Sequence, residues 1–161
     1  MTRFDRFVEG IDTPVLVVTA SHGDVRAGCL VGFSSQVSID PPRLLVCLST
    51  LNNTYDVARQ AELLGVHLLG SGQHDLAERF GAETGDTVDK FAGLPVRDDR
   101  DGVVLLDGVP RRLVGRVLDR IPLGDHVGFV LEPLDVEILD DAVPLGLRDA
   151  MDIEPGHPRS S

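Results

Sequence analysis

The apolar segments of this chain are short, rich in β-branched residues, and mostly follow one another without an intervening helix. The run Val15–Ala20 and the next apolar segment are separated by turn residues at 21–24, which predicts a hairpin. We predict strands over residues 15–20, 27–33, 43–48, 63–69, 103–106, 112–118 and 126–138. Because these strands arrive in hairpin order and do not alternate with helices, they indicate an antiparallel β-barrel with peripheral helices.

A few helices are expected around this barrel. We predict them over residues 3–10, 53–61 and 74–80. The first is amphipathic, and we expect its apolar side to dock on the domain. The second begins at a cap formed by Asn52 or Asn53.

The length of 161 residues favours one domain, which we assign to residues 1–148. Residues 81–102 are predicted as a long irregular surface excursion that crosses the domain. Residues 34–42 are polar, rich in hydroxyl groups and closed by two prolines, so we expect a polar bend there. Residues 149–161 are predicted to form a flexible C-terminal tail.

The composition excludes several classes of partner. A net charge of −11 is unfavourable for binding nucleic acid or anionic lipid. The N-terminus carries no signal core, and no apolar segment approaches the roughly 20 residues of a membrane span, so we expect a cytoplasmic protein. Cys29 and Cys47 lie in apolar segments and are predicted to be small buried hydrophobic residues.

Several common catalytic motifs are incomplete. The segment at 70–72 lacks the third glycine of a dinucleotide fingerprint, and the chain has no phosphate-binding Gly-Lys-Ser/Thr loop. Gly32-Phe33-Ser34-Ser35-Gln36 lacks the closing glycine of a nucleophile elbow. The five histidines are not spaced as metal ligands, so we expect no metal site.

Three polar features could carry chemistry. The first is a cluster of serines after a strand, and the second is the segment 49–54, where hydroxyls, amides and helix-start N–H groups could hold a phosphate. The third is Gly124-Asp125-His126, which presents a histidine at the start of a strand. Each has a simpler interpretation, as turn residues, a helix cap and a surface histidine respectively.

The order of these features resembles the flavin reductase-like family, whose fold is the FMN-binding split barrel. Residues 32–47 are similar to the family motif Ser-Val-Ser-x-x-Pro-Pro and its flanking strands. The helix at 53–61, the strand at 63–69 and the segment 73–80 resemble the next elements along the chain in family members. Asp89-Lys90-Phe91 and Gly124-Asp125-His126 are similar to two further motifs, so the resemblance covers roughly residues 10–140.

The resemblance implies a mainly β fold, a Greek-key antiparallel split barrel of the FMN-binding type, assembled as a homodimer. It implies an NAD(P)H:flavin reductase that transfers hydride from NADH or NADPH to FMN, with FAD as the alternative flavin, and that supplies a monooxygenase partner. The implied cofactor-binding residues are Val31, Gly32, Phe33, Ser34 and Ser35 beside the flavin ring, Ser38, Asn52 and Thr54 near its phosphate, and Lys90 and Phe91 closing the site. His126 is the implied catalytic residue, on the nicotinamide side.

The chain departs from the family at Gly32-Phe33, where many members have Asn-Ser, and at Gln36, which replaces a common Ser. This departure leaves two alternatives open. One is a protein that binds flavin, or another flat cofactor such as haem or deazaflavin, without reductase activity. The other is a structural dimer without a ligand.

Overall fold

A computed structural model describes residues 1–82, 89–98, 102–150 and 152–153. The strands within these residues are β1 (Leu16–His22), β2 (Val25–Val31), β3 (Ser34–Ser38), β4 (Arg43–Ser49), β5 (Leu63–Leu68), β6 (Val96–Asp98), β7 (Val104–Leu106), β8 (Arg111–Pro122) and β9 (His126–Ile138). The helices are α1 (Arg3–Val8), α2 (Asn53–Ala58), α3 (His74–Ala82) and a C-terminal 3-10 helix (Leu147–Ala150).

The larger sheet is antiparallel and has the order β2-β1-β5-β8-β9-β4-β3, while β6 pairs with β7. Strands β2 and β3 stand at opposite ends of this order, although only Gly32 and Phe33 separate them in the chain. A flat sheet of this size would be about 29 Å wide, whereas a two-residue link reaches only about 10 Å. The sheet therefore curls until the end of β2 and the start of β3 lie close together, which confirms the predicted mainly β, antiparallel barrel.

The curled sheet encloses the main hydrophobic core. Inward-facing side chains from β1, β2, β4, β5 and β9 meet there, with Phe129 fully buried among them. Helix α2 covers part of this core through Val57 and Ala58. A second core lies on the opposite face of β1, where α3, β7 and C-terminal residues pack around Phe80 and Phe91.

Strand β3 corrects the expectation of a polar bend at 34–42. Residues 34–38 pair with β4, with a register shift after Gln36. Because β3 is an edge strand, its hydroxyl and amide side chains can face solvent while its backbone joins the ladder. Similarly, β6 lies within the segment predicted as irregular, whose residues 83–88 and 99–101 lie outside the described residues.

Helix α1 forms where predicted but does not dock on its own domain, so that prediction is wrong. None of its residues is buried, and Phe4 and Phe7 are each 70% exposed. Local interactions stabilise the helix, because Thr2 and Asp5 form a reciprocal capping box. No helix in the described part of the chain is long and apolar enough to cross a membrane.

The first residues of the predicted tail lie against the domain. Ala150 is buried, Ile153 packs on the second core, and Asp152 Oδ1 is 2.9 Å from His74 Nε2. The remainder of the predicted tail, residue 151 and residues 154–161, lies outside the described residues.

Two buried polar side chains attach β7 to the outer face of the barrel. Thr19 Oγ1 donates to the Val104 carbonyl at 2.6 Å. His67 Nδ1 donates to the Val17 carbonyl at 2.9 Å, and His67 Nε2 accepts from the Leu106 N–H at 3.0 Å. This pattern requires a neutral imidazole. Burial accordingly lowers the pKa of His67 from 6.5 to about 4.

We expect His67 to make the fold sensitive to mild acid. In the unfolded chain the His67 side chain binds a proton below about pH 6.5, whereas in the folded chain it does so only near its lowered pKa of about 4. The free energy of unfolding therefore falls as the pH falls between these two values. Between pH 7 and pH 5 the loss should be about 2 kcal/mol. Urea unfolding of His67→Gln should show a smaller difference between these two pH values than the wild type.

The matched control is His22→Gln, since His22 lies at the exposed end of β1. This variant should keep the wild-type pH dependence. An equal pH dependence in His67→Gln and the wild type would contradict the assignment.

Candidate active site

A cleft of about 540 Å³ opens between the end of β2, the end of β4 and the turn that joins β8 to β9. This volume lies in the usual range for small-molecule sites. The residues that line the cleft are Cys29, Leu30, Val31, Gly32, Phe33, Cys47, Leu48, Ser49, Leu51, Asn52, Asp125, His126 and Leu147. The lining is therefore mostly apolar, with a few polar groups at one end.

The link between β2 and β3 forms one wall of the cleft. Phe33 is 57% exposed, and the carbonyl of Phe33 accepts from the Cys47 N–H at 3.0 Å, which ties the link to β4. The Gly32 carbonyl accepts from Thr13 Oγ1 at 3.1 Å. Within the described residues, the N–H groups of Gly32 and Phe33 donate no hydrogen bond. Both N–H groups are therefore available to a ligand on this wall.

The turn between β8 and β9 presents His126 on another wall. Gly124 has φ +126°, which an L side chain rarely adopts, so a glycine suits this turn. Thr50 fixes the turn to the end of β4, because its N–H and its hydroxyl both donate to the Asp125 carbonyl, at 3.0 and 3.2 Å. His126 Nδ1 is 2.7 Å from Asp125 Oδ1, and the His126 ring lies 5.0 Å from the Phe33 ring between centroids.

The polar end of the cleft lies where β4 leads into α2. Asn52 caps this helix by accepting the Thr54 N–H at 2.9 Å, as the sequence predicts. The Thr54 N–H is therefore already used, and the Thr54 side chain is buried. Ser49 Oγ accepts the Leu51 N–H at 3.3 Å. Among these polar side chains, Ser49 and Asn52 face the cleft.

Two cysteines line the cleft, Cys29 on β2 and Cys47 on β4, and they differ in exposure. Cys29 is buried, and desolvation raises the pKa of its thiol to about 11. Cys47 is half-buried, and desolvation also raises the pKa of its thiol. The prediction that both cysteines are buried therefore applies fully only to Cys29.

The structure brings together part of the predicted site. The predicted site residues in the cleft lining are Val31, Gly32, Phe33, Asn52 and His126. The three predicted serines, Ser34, Ser35 and Ser38, lie on the edge strand β3, outside the lining. Thr54 lies behind the cleft, where its side chain contacts Cys29.

Lys90 and Phe91, predicted to close the site, lie behind β2 instead. Lys90 Nζ donates to the carbonyls of Gly28 and Phe80, each at 3.0 Å. The Phe91 ring packs edge-to-face on Phe80, 5.5 Å between centroids. In this chain both residues join α3 to β2 and do not line the cleft.

Several lining residues were not predicted as site residues. Asp125 precedes His126 in the sequence, and a carboxylate beside a histidine is a pattern that could have indicated a site residue. Cys29 on β2 and Cys47 on β4 lie within two residues of the strand ends that border the cleft, and consecutive residues of both strands line it. Leu147 had no local signal, because it is far from the rest of the lining in sequence.

The described residues contain one cluster with potential metal ligands. His74, Asp75 and Glu78 on α3 offer ligand atoms within 4.8 Å of one another. This cluster is on the surface, and His74 Nε2 already contacts Asp152. The absence of a functional metal site stays a prediction.

We expect the two thiols to differ in reactivity. With a pKa of about 11, Cys29 carries about 100-fold less thiolate at pH 8 than a thiol with pKa 9. Cys47 is also the more exposed of the two thiols, so Ellman's reagent should react with it first in the native protein. The Cys47→Ser variant should lose this faster reaction, whereas Cys29→Ser should retain it. Faster labelling of Cys29 would contradict the arrangement of the lining.

Comparisons with known proteins place this geometry in a family. The profile of the flavin reductase like domain family matches residues 8–150. The actinorhodin polyketide dimerase of Streptomyces coelicolor is 32% identical over 129 residues, which cover 80% of this chain and 71% of that protein. The FMN reductase (NADH) RutF of Pseudomonas syringae is 29% identical, covering 80% of this chain and 72% of that protein.

Another relative is the reductase component of a 4-nitrophenol 4-monooxygenase/4-nitrocatechol 2-monooxygenase of Rhodococcus opacus. It is 31% identical over 123 residues, which cover 76% of this chain and 64% of that protein. Among solved structures, the NADH:FAD oxidoreductase SgcE6 of Streptomyces globisporus has a TM-score of 0.80 at 23% identity, covering 88% of this chain and 84% of that chain.

The structural likeness confirms the predicted split-barrel fold. The flavin- and NADH-dependent chemistry expected from the sequence is the chemistry that the names of two of these proteins state. Because the family profile covers almost the whole of the described chain, this protein belongs to the flavin reductase-like domain family.

Proposed function

We propose that this protein is an NAD(P)H-dependent flavin reductase that transfers hydride from NADH or NADPH to FMN or FAD held in the cleft. The observation that carries the proposal is the meeting of the Gly32-Phe33 link with His126 across one apolar cleft in a chain of this family. Relatives named as an FMN reductase and as the reductase component of a monooxygenase support it.

The cleft suits the ring of a flavin. The partly exposed side chains of Leu30, Phe33 and Leu147 offer apolar walls for a flat ring. The N–H groups of Gly32 and Phe33 are free to meet its polar edge. Loss of the Asn-Ser pair found in many members therefore removes side chains but leaves backbone donors. A bound flavin supplies the hydride-accepting chemistry. The chain's own contribution is to bind, to orient and to keep water from the apolar walls.

The polar end of the cleft has little charge for a phosphate. Among the described residues that line the cleft, the acidic and basic side chains are those of Asp125 and His126. Ser49 and Asn52 are neutral donors at this end, so we assign the phosphate side to them. A partner subunit would supply further groups there.

His126 is the residue we assign to the nicotinamide side. The Asp125 carboxylate can only accept, so the 2.7 Å contact places a proton on His126 Nδ1. His126 Nε2 is then available as an acceptor in the neutral ring, or as a donor in the protonated ring. A hydrogen bond from this nitrogen would orient the carboxamide of the pyridine nucleotide.

A homodimer is part of the proposal. Edge strand β3 contains no charge or proline, which are the usual protections of a free edge. Within this strand Val37 is 51% exposed, and just after it Ile39 is 84% exposed. A second copy covering these apolar residues would bury them and border the cleft.

We also propose that the enzyme works in the cytoplasm and supplies reduced flavin to a monooxygenase. Both cysteines are free, which fits a reducing compartment. The monooxygenase assignment rests on the relative from Rhodococcus opacus.

The second candidate function is a flavin-binding protein without reductase activity. The observation that favours it is the Phe33 ring, which lies 5.0 Å from the His126 ring and so occupies the side assigned to nicotinamide. Purified protein loaded with FMN and mixed with NADH or NADPH in the absence of air distinguishes the two. Bleaching of the flavin absorbance supports the reductase, and an unchanged spectrum with tightly bound FMN supports the binding protein.

We expect His126→Ala to separate nucleotide binding from flavin binding. Loss of one hydrogen bond should raise the KM for NADH by about tenfold. The Kd for FMN, measured by quenching of flavin fluorescence, should change by less than about threefold. His22→Ala is the matched control and should leave both constants unchanged. Equal losses in both constants would contradict the assignment of His126.

We expect light scattering to give twice the 17.4 kDa mass of one chain. Ile39→Glu should shift the protein toward monomer and weaken FMN binding by about tenfold, because a buried charge disfavours the interface. Val143→Glu replaces another exposed apolar residue and should do neither. A monomeric wild type that binds FMN would contradict the dimer.

A further inference from the structure

The chain after β9 returns to the cleft and supplies one of its walls. We name residues 145–150 and 152–153 the C-terminal strap. The Leu145 carbonyl accepts the Val15 N–H, and the Leu145 N–H donates to the Leu69 carbonyl, both at 2.9 Å. At the other end of the strap Ala150 is buried and Asp152 contacts His74. Between these anchors the strap brings Leu147 into the cleft lining.

Leu147 occupies the space that a side chain at position 32 would need. A Cβ atom built on Gly32 would lie 3.0 Å from Leu147 Cδ1, which is closer than ordinary van der Waals contact. Gly32 is not in the left-handed region, so its backbone would accept other residues. The constraint on position 32 is therefore the Leu147 side chain.

Thr13 holds these two residues in a fixed relation. Its hydroxyl donates to the Gly32 carbonyl at 3.1 Å, and its carbonyl accepts the Leu147 N–H at 2.7 Å. One residue thus ties both sides of the contact to the start of β1. The Leu147 backbone is therefore fixed beside Gly32, and a side chain at position 32 could be accommodated only if the Leu147 side chain changed its rotamer.

We propose that Leu147 is a specificity-determining residue, which closes the ring end of the cleft in place of a side chain at position 32. This inference rests on the proposed function, because that function places the flavin ring beside the Gly32-Phe33 link. The wall that Leu147 forms is purely apolar. It therefore recognises the flat face or the edge of a fused ring, and not the phosphate group of the flavin nucleotide. Its contribution to affinity is consequently the same for every ligand that carries the ring.

The first test compares three flavins that share the ring and differ in the tail: lumiflavin, riboflavin and FMN. Leu147→Ala should weaken all three by a similar factor of about ten, measured by fluorescence quenching. Leu147→Val keeps a smaller apolar wall and should lose less. Asp149→Asn, an exposed position of the same strap, is the matched control and should lose nothing. A loss confined to FMN would overturn the proposal, because it would place Leu147 at the phosphate.

The second test is a double-mutant cycle between positions 32 and 147. Gly32→Asn should weaken lumiflavin binding by tenfold or more in the wild-type background, because the new side chain meets Leu147. In the Leu147→Ala background the same substitution should cost about threefold or less. Equal costs in the two backgrounds would overturn the proposal.

The same four proteins keep the two proposals distinguishable. If the wild type binds none of the three flavins, the proposed function fails and specificity toward a flavin ring fails with it. The steric contact is still tested by the thermal midpoints of the unliganded proteins. Gly32→Asn should lower the midpoint more with Leu147 present than with alanine, and equal shifts would show that Leu147 does not close this space.

Discussion

The architecture depends on one geometric constraint, the two-residue link between strands that stand at opposite edges of the same sheet. A link of this length forces the sheet to curl, and the curl encloses the core around Phe129. It also leaves Gly32 and Phe33 outside both ladders, with free N–H groups. The link that curls the sheet is therefore also the segment that forms one wall of the cleft.

Most of the fold was predictable because its signals are local. β-branched runs separated by turn residues marked the strands of the large sheet, and Asn52 marked the start of α2. Strand β3 was not recognised, because an edge strand does not need apolar alternation. The docking of α1 was predicted from its amphipathic pattern, but such a pattern does not specify which surface covers it.

The candidate site was predictable where it consists of contiguous residues. Gly32, Phe33 and His126 were assigned through motifs, and the structure places all three in one cleft. Lys90 and Phe91 were assigned in the same way, yet in this chain they pack behind β2. A motif identifies residues but does not specify where the fold places their side chains. Leu147 could not be found from sequence, because its role depends on a contact across the fold.

Thr13 joins the segment before β1 to the segment after β9 at the wall of the cleft. Asp12 strengthens this junction, since its carboxylate accepts the Arg148 N–H at 3.2 Å and fills the space beside Gly146. A displacement of either flanking segment would consequently move Gly32 and Leu147 together and change the width of the cleft that they line.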